Sequence, residues 1–471
     1  MSATKTGTKS KTGAGISPVM NKLAGYIASA PRRALPAPVI ECTKHHVLDT
    51  IAAMVSGSRL VPGERAYAFV KALGGNNEAT VVGRKFMTNA VNAALANGMA
   101  AHADETDDSH SPSVTHPGCG TVSAALAVAE RERSGGAALL RAVALGYDVG
   151  TRMNLFLGAM GFSNLGHLTS GFGNVFGAAA ASAALHRFNE QQVRHVLSYA
   201  AQQASGVSCF ARDPEHIEKA FGFGGMSARN GVTAATLVSL GCTAVDDVFS
   251  GDRSFFMAYD ESYRQKRAQQ PELLVRELGK TYEITNTTIK RWSVGSPIQA
   301  PLDSLLELMR SENIKAGDIE KIVVRVYANG ARITNNREAS DINMQHMCAL
   351  MLVDGYVTFD ATHDHSRMKD PKVLAVRRRV ELIADEALEK LRPSKQGIVE
   401  LVLKDGRHLR HHTRAVRGTA HNPMTRAEVD EKCYALMAPV LGKSRARALC
   451  DVVWKLERVA DVRTLRPLLR G

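Results

Sequence analysis

A short polar segment between two helices of small residues contains most of the titratable groups that could do chemistry. This acid-rich segment, residues 102–116, contains Asp104, Glu105, Asp107 and Asp108 together with His102, His110 and His116. Residues 89–101 before it are mostly alanine, asparagine and valine, and a second helix pattern follows at 120–133. Two packed helices would hold these groups in fixed positions, as a catalytic or binding site requires.

A solvated turn is the simplest alternative interpretation of these acids, and it suits Asp107 and Asp108. Asp104 and His116 fit it less well, because each lies next to apolar sequence. A charged group buried without a partner costs several kcal/mol, so such positions are usually occupied for a reason. We therefore take Asp104 and His116 as the stronger functional candidates of the segment.

Three polar residues further along the chain lie in similar settings. His167 follows a glycine-rich stretch, Lys219 precedes another, and Lys290 follows Ile289. Each alone is more often structural, as a satisfied core histidine or a solvated lysine. Together with Asp104 and His116, however, they make five polar residues at glycine-rich helix junctions, and that number favours a site.

The acid-rich segment could instead bind a metal ion. His102, Asp104, Asp108 and His116 offer nitrogen and oxygen ligands of a suitable kind. Against this, the sequence has no HExxH or CxxC pair, and the acids lack the glycine and glutamate spacing of an EF-hand. It also has no GxGxxG after a strand, no P-loop and no GxSxG. The pattern favours a site without metal, nucleotide or other cofactor.

Composition limits the class of protein. The chain has 471 residues, 45% of them hydrophobic, a formal net charge of +13 and no apolar run long enough for a membrane span. Residues 1–16 carry no acid and predict a disordered basic tail, although such a stretch also resembles a transit peptide. Seven scattered cysteines indicate reduced thiols. We expect a cytoplasmic protein without a nucleic-acid or membrane partner.

The order of patterns predicts a mainly α protein with an inserted unit. Helical patterns dominate residues 17–267, and strand patterns then appear at 319–327 and in a hairpin around Asp405-Gly406, with helices expected at 296–310, 343–354 and 371–383. Helix returns after Asn422, where Thr425 and Glu428 form a capping-box pattern. We predict an all-helical domain of residues 17–267 and 418–471, with an α+β lid of residues 268–417 inserted between its parts.

These residues carry a family resemblance. The chain resembles the MmgE/PrpD family, which includes 2-methylcitrate dehydratase, cis-aconitate decarboxylase and iminodisuccinate epimerase. The motifs that match, in the family's order, are His102-Ala-Asp104 with Asp107-Asp108 and His116-Pro117, Gly146-Tyr147-Asp148-Val149, His167, Lys219 with Arg229-Asn230-Gly231, Ile289-Lys290-Arg291, and Asn422-Pro423-Met424-Thr425. The resemblance implies a helical domain with an α+β lid, a homodimer, and metal-free chemistry on a small di- or tricarboxylate.

The resemblance also implies roles for individual residues. Those of the catalytic group are Asp104, His116, His167 and Lys219, and those of the substrate-binding group are Lys290, Gln299 and His346. Gln299 stands where the decarboxylases have histidine, which resembles the methylcitrate dehydratase branch. His346 stands where relatives tend to have tyrosine. The implied activity is that of a 2-methylcitrate dehydratase-like hydro-lyase, with a decarboxylase or epimerase as alternatives.

The residue types suit that class of reaction. Removing water from a β-hydroxy acid needs a base, an acid, and cations that bind carboxylates and stabilise developing charge. Asp104 and the histidines supply acid–base groups, and Lys219 and Lys290 supply cations. Two alternatives of other classes are a metal-dependent hydrolase and a non-catalytic relative kept for binding; the absence of histidine at Gln299 motivates the second.

Overall fold

A computed structural model describes residues 15–258 and 271–471. The fold is mainly α with one small α+β region, which confirms the predicted fold class. Residues 1–14 of the predicted tail, and the predicted boundary at residue 267, lie outside the described residues. No helix of the described part is long and apolar enough to cross a membrane.

Eleven helices precede the α+β region in the described residues. They are α1 (Pro18–Ser29), α2 (Ala37–Gly57), α3 (Val61–Leu73), α4 (Ala90–Ala101), α5 (Pro117–Arg131), α6 (Gly136–Phe156), α7 (Ala159–Asn164), α8 (Thr169–Leu185), α9 (Glu190–Gln203), α10 (Ile217–Ala220) and α11 (Met226–Ser239). Strands β1 (Ala79–Val81) and β2 (Phe86–Thr88) pair antiparallel between α3 and α4. The glycine-rich stretch 158–166, predicted as a turn, contains the short helix α7.

Small residues let the central helices approach closely. Helices α6 and α8 cross at glycines, and a Cβ atom on Gly150 would lie 2.6 Å from the carbonyl oxygen of Gly173. One turn away, a Cβ atom on Gly146 would lie 2.7 Å from the carbonyl oxygen of Gly177. Side chains at these four positions would force the backbones apart, so glycine is what permits this packing.

The last helices pack on the same core as the first ones. These are α18 (Arg426–Leu441), α19 (Lys443–Val453) and α20 (Arg466–Leu469), and α18 begins with the predicted capping box of Thr425 and Glu428. Leu436 and Leu449 belong to one buried cluster with residues of α2, α4, α5 and α6. We call these last three helices together with α1–α11 the body. The predicted domain boundaries themselves stay a prediction.

The α+β region, here called the lid, has its own core between Trp292 and Leu403. Its helices are α12 (Ser296–Glu312), α13 (Ala328–Thr334), α14 (Met344–Asp354), α15 (Phe359–His363), α16 (Pro371–Arg377) and α17 (Glu386–Lys390). Its strands are β3 (Ile319–Tyr327), β4 (Val380–Asp385), β5 (Gly397–Leu403) and β6 (His408–Thr413), in sheet order β4-β3-β5-β6. The β5–β6 hairpin is the predicted one, turning at Gly406 with φ +86°.

One lid element differs from its prediction. The sequence favoured a helix over 371–383, but α16 ends at Arg377 and residues 380–385 form β4, parallel to β3. The pairing joins Ile322 to Val380 and continues to Tyr327 and Asp385. An edge on β3 that offers six paired positions outweighs the helical periodicity of this short apolar stretch, because strand formation depends on the partner more than on local preference.

Candidate active site

The acid-rich segment is a buried loop between α4 and α5. Asn89 caps α4 by accepting a hydrogen bond from the Asn92 amide at 2.9 Å, and Pro117 starts α5 at its first position. Every residue from 101 to 110 is buried. Asp107 and Asp108 are both fully buried, so the alternative of a solvated turn is wrong. Their charges must therefore be met by partners inside the protein.

Glu105 is the partner of both lysines. Its carboxylate contacts the Lys219 ammonium group on one oxygen and accepts a hydrogen bond from Lys290 Nζ on the other, at 3.0 Å. Lys290 also donates to the Glu105 carbonyl oxygen at 2.9 Å. Burial alone would raise the pKa of Glu105, but the two ammonium groups outweigh it and hold that pKa well below its usual range. Glu105 is therefore an ionised carboxylate between two cations.

Asp107 holds two histidines. His102 Nδ1 and His116 Nδ1 each lie 2.9 Å from a different oxygen of its carboxylate. Burial would raise the pKa of Asp107, but the two imidazoles lower it well below its usual range. Because an ionised carboxylate only accepts hydrogen bonds, the Nδ1 hydrogen of each ring points to Asp107 and each Nε2 points away from it.

The environment of His116 keeps its imidazole neutral near pH 7. Burial is the largest influence on the pKa of His116 and, with the nearby Lys290 ammonium, lowers it to about 4 despite the opposing charge of Asp107. The main chain of His116 is fixed from α8, since Asn174 donates to its carbonyl oxygen at 2.8 Å. A neutral imidazole held in this way is a proton acceptor.

Asp108 fixes the loop to the helices of the body. It accepts hydrogen bonds from Tyr147 on α6 at 2.5 Å and from the Gly118 amide at 3.0 Å, and it lies 2.7 Å from His46 Nδ1 on α2. Although burial opposes it, Asp108 and Cys42 raise the pKa of His46 to about 10. This fully enclosed pair of His46 and Asp108 anchors the segment to two body helices and leaves its other face to the lid.

The lid closes over the loop through several contacts. Ser109 and Thr288 exchange two main-chain hydrogen bonds of 2.9 and 2.8 Å just before Lys290 enters the site. On α15, His363 Nε2 lies 3.1 Å from Asp104 Oδ2. Asp104 also accepts from the Thr106 hydroxyl at 2.5 Å. Asp104 thus joins the loop to the lid, whereas the neighbouring Glu105 holds the lysines.

Lys219 reaches the loop from α10, which continues into the π-helical turn Phe221–Gly225. Glycine lets this turn pass against α4, since a Cβ atom on Gly224 would lie 2.0 Å from the Gly98 carbonyl oxygen. Phe223 from the turn stacks on His102 with ring centroids 4.5 Å apart, and the Lys219 ammonium lies 5.3 Å from the centre of the same ring. Four predicted site residues, Asp104, His116, Lys219 and Lys290, are therefore brought together around one loop.

The other three predicted residues lie elsewhere or serve other contacts. The rings of His167 and Phe162 stack with their centroids 4.1 Å apart. His167 lies three residues before Ser170, whose hydroxyl accepts a hydrogen bond from the His116 amide at 3.4 Å. The Gln299 side chain donates to the main-chain carbonyl oxygens of Trp292 at 2.8 Å and Val294 at 3.0 Å, and its amide oxygen accepts from the Trp292 amide at 3.2 Å. A side chain bonded in this way holds a turn of the lid with both of its amide donors used, and its predicted role in substrate binding stays a prediction.

His346 lies in the lid core on α14 and is fully buried. Both of its ring nitrogens are enclosed without a hydrogen-bond partner. Burial, together with the charges of Arg377 and Arg367, lowers the pKa of His346 to about 4. These surroundings belong to the lid, and its predicted role in substrate binding stays a prediction.

Sequence reasoning gave no catalytic or substrate-binding role to four residues of this site: Glu105, Asp107, His102 and His363. The first three lay inside the acid-rich segment, and the signal that could have found them is the density of acids and histidines there. Which acid meets which lysine depends on contacts across more than a hundred residues, so spacing could not choose between Asp104 and Glu105. Nothing local marks His363, which reaches the loop from the lid.

Fold and site together define a two-part helical protein with a closed carboxylate–lysine–histidine cluster between body and lid. Residues 21–267 match the MmgE/PrpD N-terminal domain and residues 292–458 match the MmgE/PrpD C-terminal domain. The chain belongs to the MmgE/PrpD family. This confirms the family resemblance seen in the sequence motifs.

Curated relatives match over nearly the whole chain. The chain is 25% identical to the cis-aconitate decarboxylase-like protein oryM of Aspergillus oryzae, covering 96% of this chain and 97% of that protein. It is 26% identical to the cis-aconitate decarboxylase of Homo sapiens, covering 92% and 90%. It is 22% identical to the cis-aconitate decarboxylase of Aspergillus terreus, covering 92% of each.

Proposed function

We propose that the protein is a lyase that acts on a small di- or tricarboxylate in the cluster between body and lid. The observation that carries this proposal is the buried carboxylate of Glu105 between two lysines, next to an imidazole held by Asp107. Two adjacent ammonium groups form a site for anionic oxygens, and a held neutral imidazole is a base. A β-hydroxy or unsaturated polycarboxylate needs both groups within a few ångströms.

The two lysines have different surroundings and therefore different roles. The Lys290 side chain is fully buried, whereas that of Lys219 is 18% exposed. Burial opposes the charge of Lys290, but Glu105 and Asp107 outweigh it and raise its pKa. Lys290 is a fixed cation that stabilises charge developing in the reaction, and Lys219 is the cation that an entering carboxylate reaches first.

His116 is the base in this proposal. Its side chain is 14% exposed, its Nδ1 hydrogen is directed to Asp107, and its Nε2 faces away from that carboxylate. It removes a proton from the carbon next to a substrate carboxylate, and the lysines hold the resulting charge. Asp104 and His167 remain predicted to take part, Asp104 through the lid contact and His167 through the helix start that holds His116.

Dehydration, as in 2-methylcitrate dehydratase, is the reaction that a neutral His116 supports best, because proton removal is its first requirement. Epimerisation would begin in the same way. Decarboxylation is the second candidate, and the names of the relatives favour it. Gln299, which suggested the dehydratase branch, is occupied by the Trp292 main chain and no longer decides between them.

One experiment tests the proposal and ranks the reactions. The purified full-length protein is incubated with citrate, 2-methylcitrate, cis-aconitate and hydroxydicarboxylates, and products are read by mass spectrometry and by proton NMR in deuterated water. Loss of water supports the hydro-lyase, loss of carbon dioxide supports the decarboxylase, and deuterium uptake without mass loss supports the epimerase. No change in any compound would count against a lyase.

We also propose a cytoplasmic homodimer, which sedimentation of the same sample tests for oligomeric state.

A further inference from the structure

His102 has a buried ring nitrogen that the proposed chemistry leaves unused. The side chain is fully enclosed, and its Nε2 atom has no hydrogen-bond partner. Polar atoms buried without a partner are rare, because each loses its hydration without a hydrogen bond in exchange. An unpartnered atom in the middle of a candidate site is a position kept for a substrate atom or a transferred proton.

The orientation of His102 is set by its neighbours. Asp107 holds its Nδ1 at 2.9 Å, and Phe223 stacks on its face with the ring planes only 3° apart. The ring cannot turn without losing both contacts, so Nε2 has a fixed direction. A ring nitrogen of His102, a carboxylate oxygen of Glu105 and a ring nitrogen of His216 all lie within 4.8 Å of one another. His102 is therefore part of the same cluster as the lysine-bound carboxylate.

His102 and His116 are linked through Asp107. Their Nδ1 atoms lie at equal distances, 2.9 Å, from its two oxygens, and their ring centroids are 4.7 Å apart. Asp107 is therefore the shared hydrogen-bond acceptor of both rings, one on each of its oxygens. The other charged groups around the pair are Lys290, Lys219 and Glu105, and both lysines contact Glu105.

We propose that His102 is the general acid of the reaction and works as a pair with His116 on Asp107. This inference rests on the proposed lyase function. In a dehydration, His116 Nε2 takes the proton from carbon while His102 Nε2–H gives a proton to the departing hydroxyl. The C–H and C–O bonds break, a C=C bond forms, and water leaves. Afterwards the positive charge is on His116 instead of His102, and Asp107 stabilises both states alike. In a decarboxylation, the C–C bond to the departing carbon dioxide breaks and His102 protonates the remaining carbanion.

Two substitutions separate this role from simple positioning. In His102→Asn the amide nitrogen replaces the Nδ1 donor to Asp107, but no group remains at Nε2. A general acid predicts that kcat falls roughly a hundredfold or more in His102→Asn, as in His102→Ala, with KM changed little. A positioning role predicts that the asparagine variant retains activity within a few-fold and that only the alanine variant loses it. That second result would overturn the proposal.

A matched control comes from the same loop. His110 is also buried, and its Nδ1 lies 2.7 Å from the Ser113 hydroxyl, so His110→Asn is an equivalent change outside the Asp107 pair. We expect its kcat to stay within about fivefold of the parent. Circular dichroism and melting temperature establish that each variant folds. His102→Gln, whose amide lies near the Nε2 position but is no general acid, is the second variant should alanine or asparagine fail to fold, and the same loss of kcat is expected of it.

A second readout detects the acid directly. In ¹⁵N-histidine NMR of the full chain, adding citrate or cis-aconitate should shift the His102 Nε2 resonance, and the shift should be absent in His102→Asn. If the parent converts or binds a carboxylate but His102 Nε2 does not respond, His102 is not the acid and the lyase proposal stands. If the parent binds and converts none of the carboxylates, the proposed function fails, and the acid role fails with it.

Discussion

Lys290 holds Glu105 at two points, donating to its carboxylate at 3.0 Å and to its carbonyl oxygen at 2.9 Å. The two residues are 185 positions apart in sequence. One lies in the loop between two body helices and the other on the segment that leads into the lid. A single ammonium group therefore joins the main chain of the loop to the segment that leads into the lid and balances the negative charge of the Glu105 carboxylate.

Adjacent acids of the loop should respond differently to removal of their charge. We expect Glu105→Gln to lower kcat/KM roughly a hundredfold or more, because two lysines lose their anionic partner. Asp104→Asn serves as the matched control and should lower it less, since Asp104 contacts Thr106 and His363. Steady-state kinetics on the substrate found in the screen measures both. An equal loss in the two variants would contradict the central position of Glu105.

His116 should be needed for turnover but not for folding. His116→Ala is expected to lower kcat roughly a hundredfold or more, the usual contribution of a general base. The side chain is partly exposed and lies outside the hydrophobic clusters, so the melting temperature should change by only a few degrees. A variant that folds normally and retains most of its kcat would remove His116 from the mechanism.

The two lysines should separate binding from stability. Lys219→Ala is expected to raise KM more than it lowers kcat, since a partly exposed cation that binds carboxylates is lost. Lys290→Ala should also destabilise the fold by about 3–5 kcal/mol, the usual cost of leaving a buried charge without its partner. Chemical denaturation measures the second effect. Equal stability in the two variants would show that burial does not distinguish them.

The contact between body and lid should weaken at alkaline pH. Burial opposes the charge of His363, but Asp104 outweighs it and, with Asp341, raises the pKa of His363 to about 9. A raised pKa means that this stabilisation is full below the unfolded-state value near 6.5 and is lost as pH rises through about 9. The lost free energy of unfolding is at most about 3 kcal/mol. Denaturation of the parent and of His363→Gln between pH 6 and 10 tests this, and the difference between them should shrink as pH rises.

Close helix packing gives a prediction about stability alone. Gly150→Ala places a Cβ atom 2.6 Å from the Gly173 carbonyl oxygen, where the backbone must move. Overpacking of this kind costs about 1–3 kcal/mol. Gly317→Ala is the control, because a Cβ atom there meets nothing within 4 Å. Thermal melting of both variants decides, and an unchanged melting temperature in Gly150→Ala would contradict the close crossing of α6 and α8.

Local signals in the sequence determined much of the architecture. Strand β3 and the β5–β6 hairpin follow from alternation and the Asp405-Gly406 turn, and the capping box at Thr425 marks the start of α18. The acid-rich loop between two helices was also predictable, because its composition differs sharply from both flanks. Motifs spread along the chain were enough to identify the family. All of these features depend on residues close together in sequence, where spacing is informative.

Only the tertiary structure decided which residues of the site contact one another. Residues 380–385 became a strand because β3 offered an edge, and Asp107 became a buried acceptor for two histidines because α4, α5 and the turn at Phe223 enclose it. Lys219 and Lys290 approach Glu105 from segments 114 and 185 residues away, so the adjacent Asp104 is left to the lid. Neighbouring acids are alike in sequence, but burial makes an unpaired charge so costly that the position of the cations determines the role of each one.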